Sequence, residues 1–421
     1  MRVLIVAKQE PWPLNSGGRL HLYHVATQLA RHADVTLALN QPVRHRHQLP
    51  PQVRVWNLPT TGTTHGTTTN LPVTVRLARR HFGGSVNLDR WLGYYARPDK
   101  FDVLLLNGAV LGQHAFASRI PVIWNPQDEL VLHTIRDAQY AGLGRWPTAL
   151  RRAALYGLYE RAVAHRSAAT IFVSPIDAAY ARRWMGDARV EVVPNGTDFD
   201  YFQPRNITPA PRTIVFVGSL EFPPNVDGIV HFTTRVWPRL HARDPRRRLL
   251  IVGRRPVPAV MELAARSGVE IAADVPDVRP YLTRAAVVLA PTRKGGGLKN
   301  KILEACAMRR PLVVSSRALG GLSARPGRDL LTADSPGRWV DQIEKLLERP
   351  AYAAGIAHHG YDWVHRHYSW QVTGQRFFEI LASAACLRAP RPGNKRQLST
   401  PARFVPTEKP RPTLETVSSV S

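Results

Sequence analysis

Short, unbroken runs of valine, isoleucine and leucine recur along this chain, and stretches long enough for a helix separate most of them. In the first half the runs lie at residues 2–7, 34–39, 53–59, 101–107, 121–126, 168–174 and 190–194. In the second half they lie at 213–218, 248–253, 269–273, 286–291 and 311–316. A strand with one wet face alternates apolar and polar residues, whereas a strand covered on both faces can be apolar throughout. The pattern therefore predicts an α/β chain with two parallel sheets, each carrying helices on both sides. The clearest intervening helix spans 18–32, with Leu22, Val25 and Leu29 on one face. Between the halves, 194–211 is rich in proline and turn formers and reads as an interdomain connector. A chain of 421 residues has room for two domains, expected here at 1–205 and 206–350. Residues 60–70 read as a polar loop, and 386–421 as a disordered basic tail poor in large apolar residues.

Within this pattern the segment 291–316, PTRKGGGLKNKILEACAMRRPLVVSS, carries the chemistry. It reads as a strand, a glycine loop, a helix and a second strand, with the loop where an open parallel sheet binds ligands. Gly295, Gly296 and Gly297 leave backbone amides open to a phosphate, which the positive end of the following helix also favours. Arg293, Lys299 and Lys301 add three cations, and Glu304 follows Lys301 by one helical turn. With Glu304 about seven residues into the helix, its carboxylate stands roughly 10 Å from the start, suited to ribose hydroxyls while a diphosphate sits at the glycines. Taken alone, Lys301 and Glu304 could be an ordinary surface pair worth ~0.2–0.5 kcal/mol.

Composition narrows the classes. Fifty-seven basic residues against 31 acidic ones give a net charge of +26, which favours polyanionic partners. The excess is spread along the chain, with no zinc-finger spacing and no basic region leading into heptads, so nucleic acid is an unlikely partner. Two cysteines, Cys306 and Cys386, make no disulfide framework and no metal-ligand spacing. The run at 3–7 is too short for a signal peptide and is followed by Lys8, Glu10 and two prolines, and no run reaches a membrane span. The expected location is cytoplasmic, with the basic segment 145–166, which carries Trp146, admitting peripheral contact with anionic lipid on the inner membrane face.

Seven motifs in order resemble the retaining, nucleotide-sugar-dependent glycosyltransferases of family 4, with the GT-B fold, over roughly residues 1–385. They begin with PLNSGGRLHLYHVATQLA at 13–30, then FVSPIDAAYARRW at 172–184 and VEVVPNGTDFDYF at 190–202. FVGSLEFPPNVDGIVHF at 216–232, RLLIVGRRP at 248–256, the long segment ending PLVVSS at 316 and GRDLLTADSP at 327–336 follow. YSW at 368–370 is similar to the point where the family's last helix crosses back to the first domain, which implies crossover helices at 351–385. The resemblance implies two Rossmann-like domains facing a cleft. It implies that Glu304 binds ribose, that Lys299 and Lys301 lie near the diphosphate, and that Gly295, Gly297, Gly17 and Gly18 face the donor. It places Asp274 and Val275 at the nucleobase and leaves Asp128 for the acceptor side.

The departures are specific. Relatives often carry a second glutamate eight positions before Glu304, where Gly296 stands here. The phosphate-clamping Arg and Lys after the donor domain's first strand are replaced by Ser219-Leu220-Glu221 and Pro224-Asn225, so Arg293, Lys299 and Lys301 are expected to serve instead. Asn107-Gly108 stands where an acceptor-side histidine is usual. With no paired glycosidase carboxylates, the expected reaction is a metal-independent sugar transfer from a nucleotide sugar to a glycan or lipid-linked acceptor, as in polysaccharide assembly. Two other readings stay open: a catalytically degenerate nucleotide-binding GT-B protein, and a basic nucleic-acid-binding protein.

Overall fold

Among the described residues, thirteen strands form two sheets. The computed structural model describes residues 1–386 apart from 15, 42, 59–70, 84, 142, 206 and 295–297, so the tail, the 60–70 loop and the three-glycine stretch lie outside the described residues. The first sheet holds β1 (Arg2–Ala7), β2 (Asp34–Leu39), β3 (Arg54–Asn57), β4 (Val103–Asn107), β5 (Val122–Gln127), β6 (Ala169–Phe172) and β7 (Val190–Val192), in the order β3-β2-β1-β4-β5-β6-β7. The second holds β8 (Thr213–Val217), β9 (Arg248–Gly253), β10 (Val269–Ala273), β11 (Val287–Ala290), β12 (Leu312–Val314) and β13 (Leu331–Thr332), in the order β10-β9-β8-β11-β12-β13. Every pairing is parallel.

The continuous apolar runs are explained by burial on both faces. Leu4, Val6, Leu104 and Leu106 enter one core cluster, while Val3, Ile5, Val103 and Leu105, alternating with them, enter another on the opposite side. In the second sheet Ile214 and Phe216 face one cluster, and Val215 and Val217 the other. In both sheets the strand order reverses beside the first strand, at β1/β4 and β8/β11. At such switch points the loops leaving the carboxyl ends separate and open a crevice. β13 is the one strand that the apolar pattern does not foretell, because two residues carry no period.

The last helix, Trp370–Cys386, returns to the first domain. Its Phe377, Ile380, Leu381 and Ala384 share a cluster with Leu22, Val25 and Leu29 of the helix Gly17–Leu29. The crossing is fixed where the connector leaves the first domain: Thr197 N–H donates to the Tyr368 carbonyl at 2.6 Å, and the Trp370 ring stacks on His24 at 4.4 Å. Gly196 allows this approach, since a Cβ there would stand 2.4 Å from the Trp370 backbone nitrogen. Backbone cannot yield as a side-chain tip would. Gly196→Ala is therefore expected to destabilise the protein by ~1–3 kcal/mol, read as a lowered midpoint of thermal unfolding. An unchanged midpoint would show that the crossing is loosely held.

Candidate active site

The carboxyl ends of both sheets face one cleft of about 760 Å³. The first domain lines it with Gly17, Gly18, Gln127, Asp128, His133 and Asn195. The second contributes Gly218, Asn225, Arg254, Val275, Lys299, Lys301 and Glu304, and the connector adds Tyr201 and Phe202.

The centre of the second domain's contribution is the short helix Asn300–Ala307, whose apolar face buries Ile302, Leu303 and Cys306 under the sheet. Its first residue is Asn300, not the earlier start that the sequence implied. Glu304 therefore stands about 6 Å along the axis, in the second turn, at ~1.5 Å per residue. Lys301 does not pair along the helix. Its Nζ reaches across the crevice, donates to Asn225 Oδ1 at 2.8 Å and lies 4.4 Å from the Phe216 ring centroid. Asn225 is itself fixed by donating to the Ser219 carbonyl at 2.9 Å. The passage for this lysine exists because residue 218 is glycine: a Cβ there would sit 2.7 Å from Lys301 Nζ.

Burial, reinforced by the neighbouring charge of Lys299, pushes the Lys301 ammonium down to about 7 despite the opposing pull of Glu304. Burial pushes the Glu304 carboxyl up to about 7 against the pull of Lys301. Each group meets the other's charge incompletely, so the site lacks negative charge at Lys301. Lys299 is lowered too, by burial and by Arg136, while Asp128 and Asp177 across the cleft pull it upward.

Asp128 precedes the helix Leu130–Ala141, and Asp177 lies in the first turn of the helix Pro175–Met185. Burial raises the Asp128 carboxyl, but nearby His133, together with the charges of Lys299 and His21, outweighs it and the net shift is downward. Burial, then the charge of Asp128, lifts Asp177 to about 6. The ligand atoms of Asp128, His133 and Asp177 lie within 4.8 Å of one another, a set that could hold a cation. Protein groups already meet these carboxylates, with the Arg136 cation's Nη1 3.5 Å from Asp177 Oδ1 and His133 Nε2 3.6 Å from Asp128 Oδ1.

Of the residues singled out in sequence, Gly17, Gly18, Asp128, Val275, Lys299, Lys301 and Glu304 converge on the cleft. Gly295, Gly296 and Gly297 lie outside the described residues. Arg293 does not line the cleft: it turns to Asp227 at 3.6 Å and lines a separate cavity of about 230 Å³ with His231, Arg317 and Trp339. Sequence nearness to the glycines could not tell on which side of the strand end its side chain leaves. Asp274 is not on the cleft wall either; it makes the turn, with φ of +50° and its carboxylate accepting from Arg255 N–H at 2.9 Å. Asn107 is buried in a network with Asn125 and His21. The sequence reading missed Asn225 as the partner of Lys301, together with His133 and Tyr201.

The family described as Glycosyl transferase 4-like domain matches residues 16–196, and Glycosyl transferases group 1 matches 211–349. No curated protein matches the chain. Among solved structures, the chain is similar to a sucrose-phosphate synthase from Thermosynechococcus elongatus, at a TM-score of 0.67 and 18% identity over 92% of this chain and 100% of that one. It is similar to Anabaena HepE in complex with UDP and glucose, at 0.64 and 14% identity over 91% and 100%. WaaG, a glycosyltransferase involved in lipopolysaccharide biosynthesis, aligns at 0.58 and 15% identity over 90% and 99%. At these identities the likeness concerns the fold.

A bound diphosphate would favour the charged form of Lys301. Its affinity is then full below the free value of about 7 and declines as pH rises above it, with a proton taken up on binding. Calorimetry above that pH, in buffers of different ionisation heat, should show this uptake for the native chain and a smaller one for Lys301→Met. Equal uptake in both would remove Lys301 from the anion site.

Proposed function

Because the chain belongs to the GT-B glycosyltransferases of the family 4-like type, we propose that its cleft transfers a sugar from a nucleotide-sugar donor to a glycan acceptor, with retention of configuration. The observation that carries this reading is the Lys301–Asn225 bond beside Gly218, with Glu304 on the same short helix. A desolvated ammonium is set where a diphosphate can complete its charge, and a carboxylate one turn away suits ribose hydroxyls. HepE, which shares the fold, has been solved with UDP and with UDP-glucose, so a UDP-sugar is the first donor to test.

In the transfer, the acceptor hydroxyl oxygen bonds to the anomeric carbon as the bond from that carbon to the diphosphate breaks. The electron pair leaves with the nucleoside diphosphate, and its phosphate takes the acceptor proton. Lys301 and Lys299 meet the developing charge in the cleft, so the reading needs no metal. Asp128, held by His133, faces the acceptor from the first domain. Closure about the connector and the crossover helix would gate the step.

Turnover of nucleotide sugars tests the reading. Lys301→Met should lower kcat/KM by about 10²–10³-fold, the scale for removing one donor to a developing anion. Glu304→Ala should raise KM for the donor. A native chain that binds nucleotide without turning over any donor would leave the degenerate reading in its place.

The acceptor is proposed to be lipid-linked, as in polysaccharide assembly, at the cytoplasmic membrane face. No described helix is long and apolar enough to cross a membrane. The helices Val73–Phe82 and Trp146–Arg166 pack together, Phe82 stacking on Tyr156 at 5.1 Å. Their outer positions expose Val73, Leu77, Leu150 and Leu158 among Arg76, Arg80, Arg151 and Arg152, and their one acidic residue, Glu160, is buried. Aliphatics set in arginine suit an anionic bilayer better than base stacking. Replacing Arg76, Arg80 and Arg151 by alanine should weaken binding to phosphatidylglycerol-containing vesicles by at least about tenfold, with phosphatidylcholine vesicles as control, at ~1 kcal/mol per arginine. Tighter binding to duplex oligonucleotides than to any vesicle would favour nucleic acid instead.

A further inference from the structure

Tyr201 has no role in the reading so far, yet it is the most exposed ring of the cleft's connector segment. It lies between β7 and β8, three residues before Pro204, and 41% of its surface is open. Together with Val275, Pro276 and Val278 it lines the second domain's end of the cleft.

The ring is held from several directions. The Arg279 guanidinium carbon stands 3.8 Å from the ring centroid, so one face is covered by a cation. Arg279 Nη1 also donates to the Tyr201 carbonyl at 3.2 Å. The guanidinium is fixed in turn by Asp277, with Nε 2.9 Å from Oδ1 and Nη2 2.9 Å from Oδ2. Tyr201 N–H donates to Asp198 Oδ1 at 3.0 Å, and the Phe202 ring meets the tyrosine edge to face at 4.9 Å. Burial raises the phenol above its usual value, Asp277 adds to the rise, and the Glu304 carboxylate contributes a smaller part. The last contribution locates the ring within electrostatic reach of the carboxylate assigned to ribose.

A flat ring that is backed on one face and open on a ligand cleft is a stacking surface. A nucleoside anchored by ribose at Glu304 and by diphosphate at Lys301 has only its base left to place, and a base is planar. We propose that Tyr201 is the platform on which the donor's nucleobase stacks, with Arg279 as its positioning residue. The inference rests on the nucleotide-sugar reading and adds a consequence for it. The platform belongs to the segment joining the two domains, so base binding and the disposition of the domains are coupled.

The test compares UDP, GDP, ADP and inorganic pyrophosphate by calorimetry on the full chain, in native form and as Tyr201→Ala and Tyr201→Phe. Stacking on an aromatic side chain corresponds to about a tenfold to hundredfold change in affinity. The nucleotide that the native chain binds best should weaken by that factor in Tyr201→Ala and stay near native in Tyr201→Phe, while pyrophosphate binds all three alike. Native-like nucleotide affinity in Tyr201→Ala would overturn the platform and leave the nucleotide site intact. An equal loss for nucleotide and pyrophosphate would also overturn it, showing that the ring only braces the cleft. If the native chain binds none of the nucleotides, the reading beneath it fails as well.

Discussion

A lysine ammonium buried at the meeting point of two domains is expensive, and the architecture of the cleft follows from how that cost is met. Lys301 has one neutral acceptor, Asn225, and the face of Phe216, and its nearest carboxylate does not pair with it directly. A protein selected for stability alone would have placed a full counter-charge there, since an incompletely paired buried charge is costly. Leaving the ammonium short of negative charge makes sense when an anion arrives from outside. Gly218 gives the side chain its path, Asn225 gives it direction, and the start of the helix Asn300–Ala307 sets its height.

The first domain answers from across the cleft with charges of both signs. His133 and Lys299 draw the Asp128 carboxyl below its usual value against burial, and burial with the charge of Asp128 lifts Asp177 to about 6. Lys299 feels both carboxylates although it belongs to the other domain. The two halves are thus coupled electrostatically at the surface where a donor and an acceptor would meet. The Gly196–Trp370 contact supplies the mechanical counterpart, because it ties the connector to the helix that crosses back.

Most of the fold was legible because burial on both faces writes itself into sequence as continuous apolar runs. Twelve of the thirteen strands follow such runs, and β13 escaped because two residues have no period. The site was legible where chemistry is local: Lys301 and Glu304 sit one turn apart and reach the same cleft. It was illegible where partners are distant. Asn225 lies 76 residues before Lys301, and nothing in its own segment announces the bond. Arg293 was misplaced for the related reason that a side chain's direction at a strand end depends on the helix packed beside it, here through Asp227. Tyr201 was visible only as part of a connector, because the guanidinium that backs it comes from residue 279.

Lys301, aimed by Asn225 through the gap at Gly218, is the group proposed to receive the donor's diphosphate. The most direct measurement is calorimetric titration of the native chain and of Gly218→Ala with nucleoside diphosphates, since the added methyl would stand where Lys301 Nζ and Asn225 meet. The native chain should bind at a single site, with affinity at least about tenfold weaker in the variant, the scale of one displaced charged hydrogen bond. Equal affinity in the two proteins, or no binding to the native chain, would contradict it.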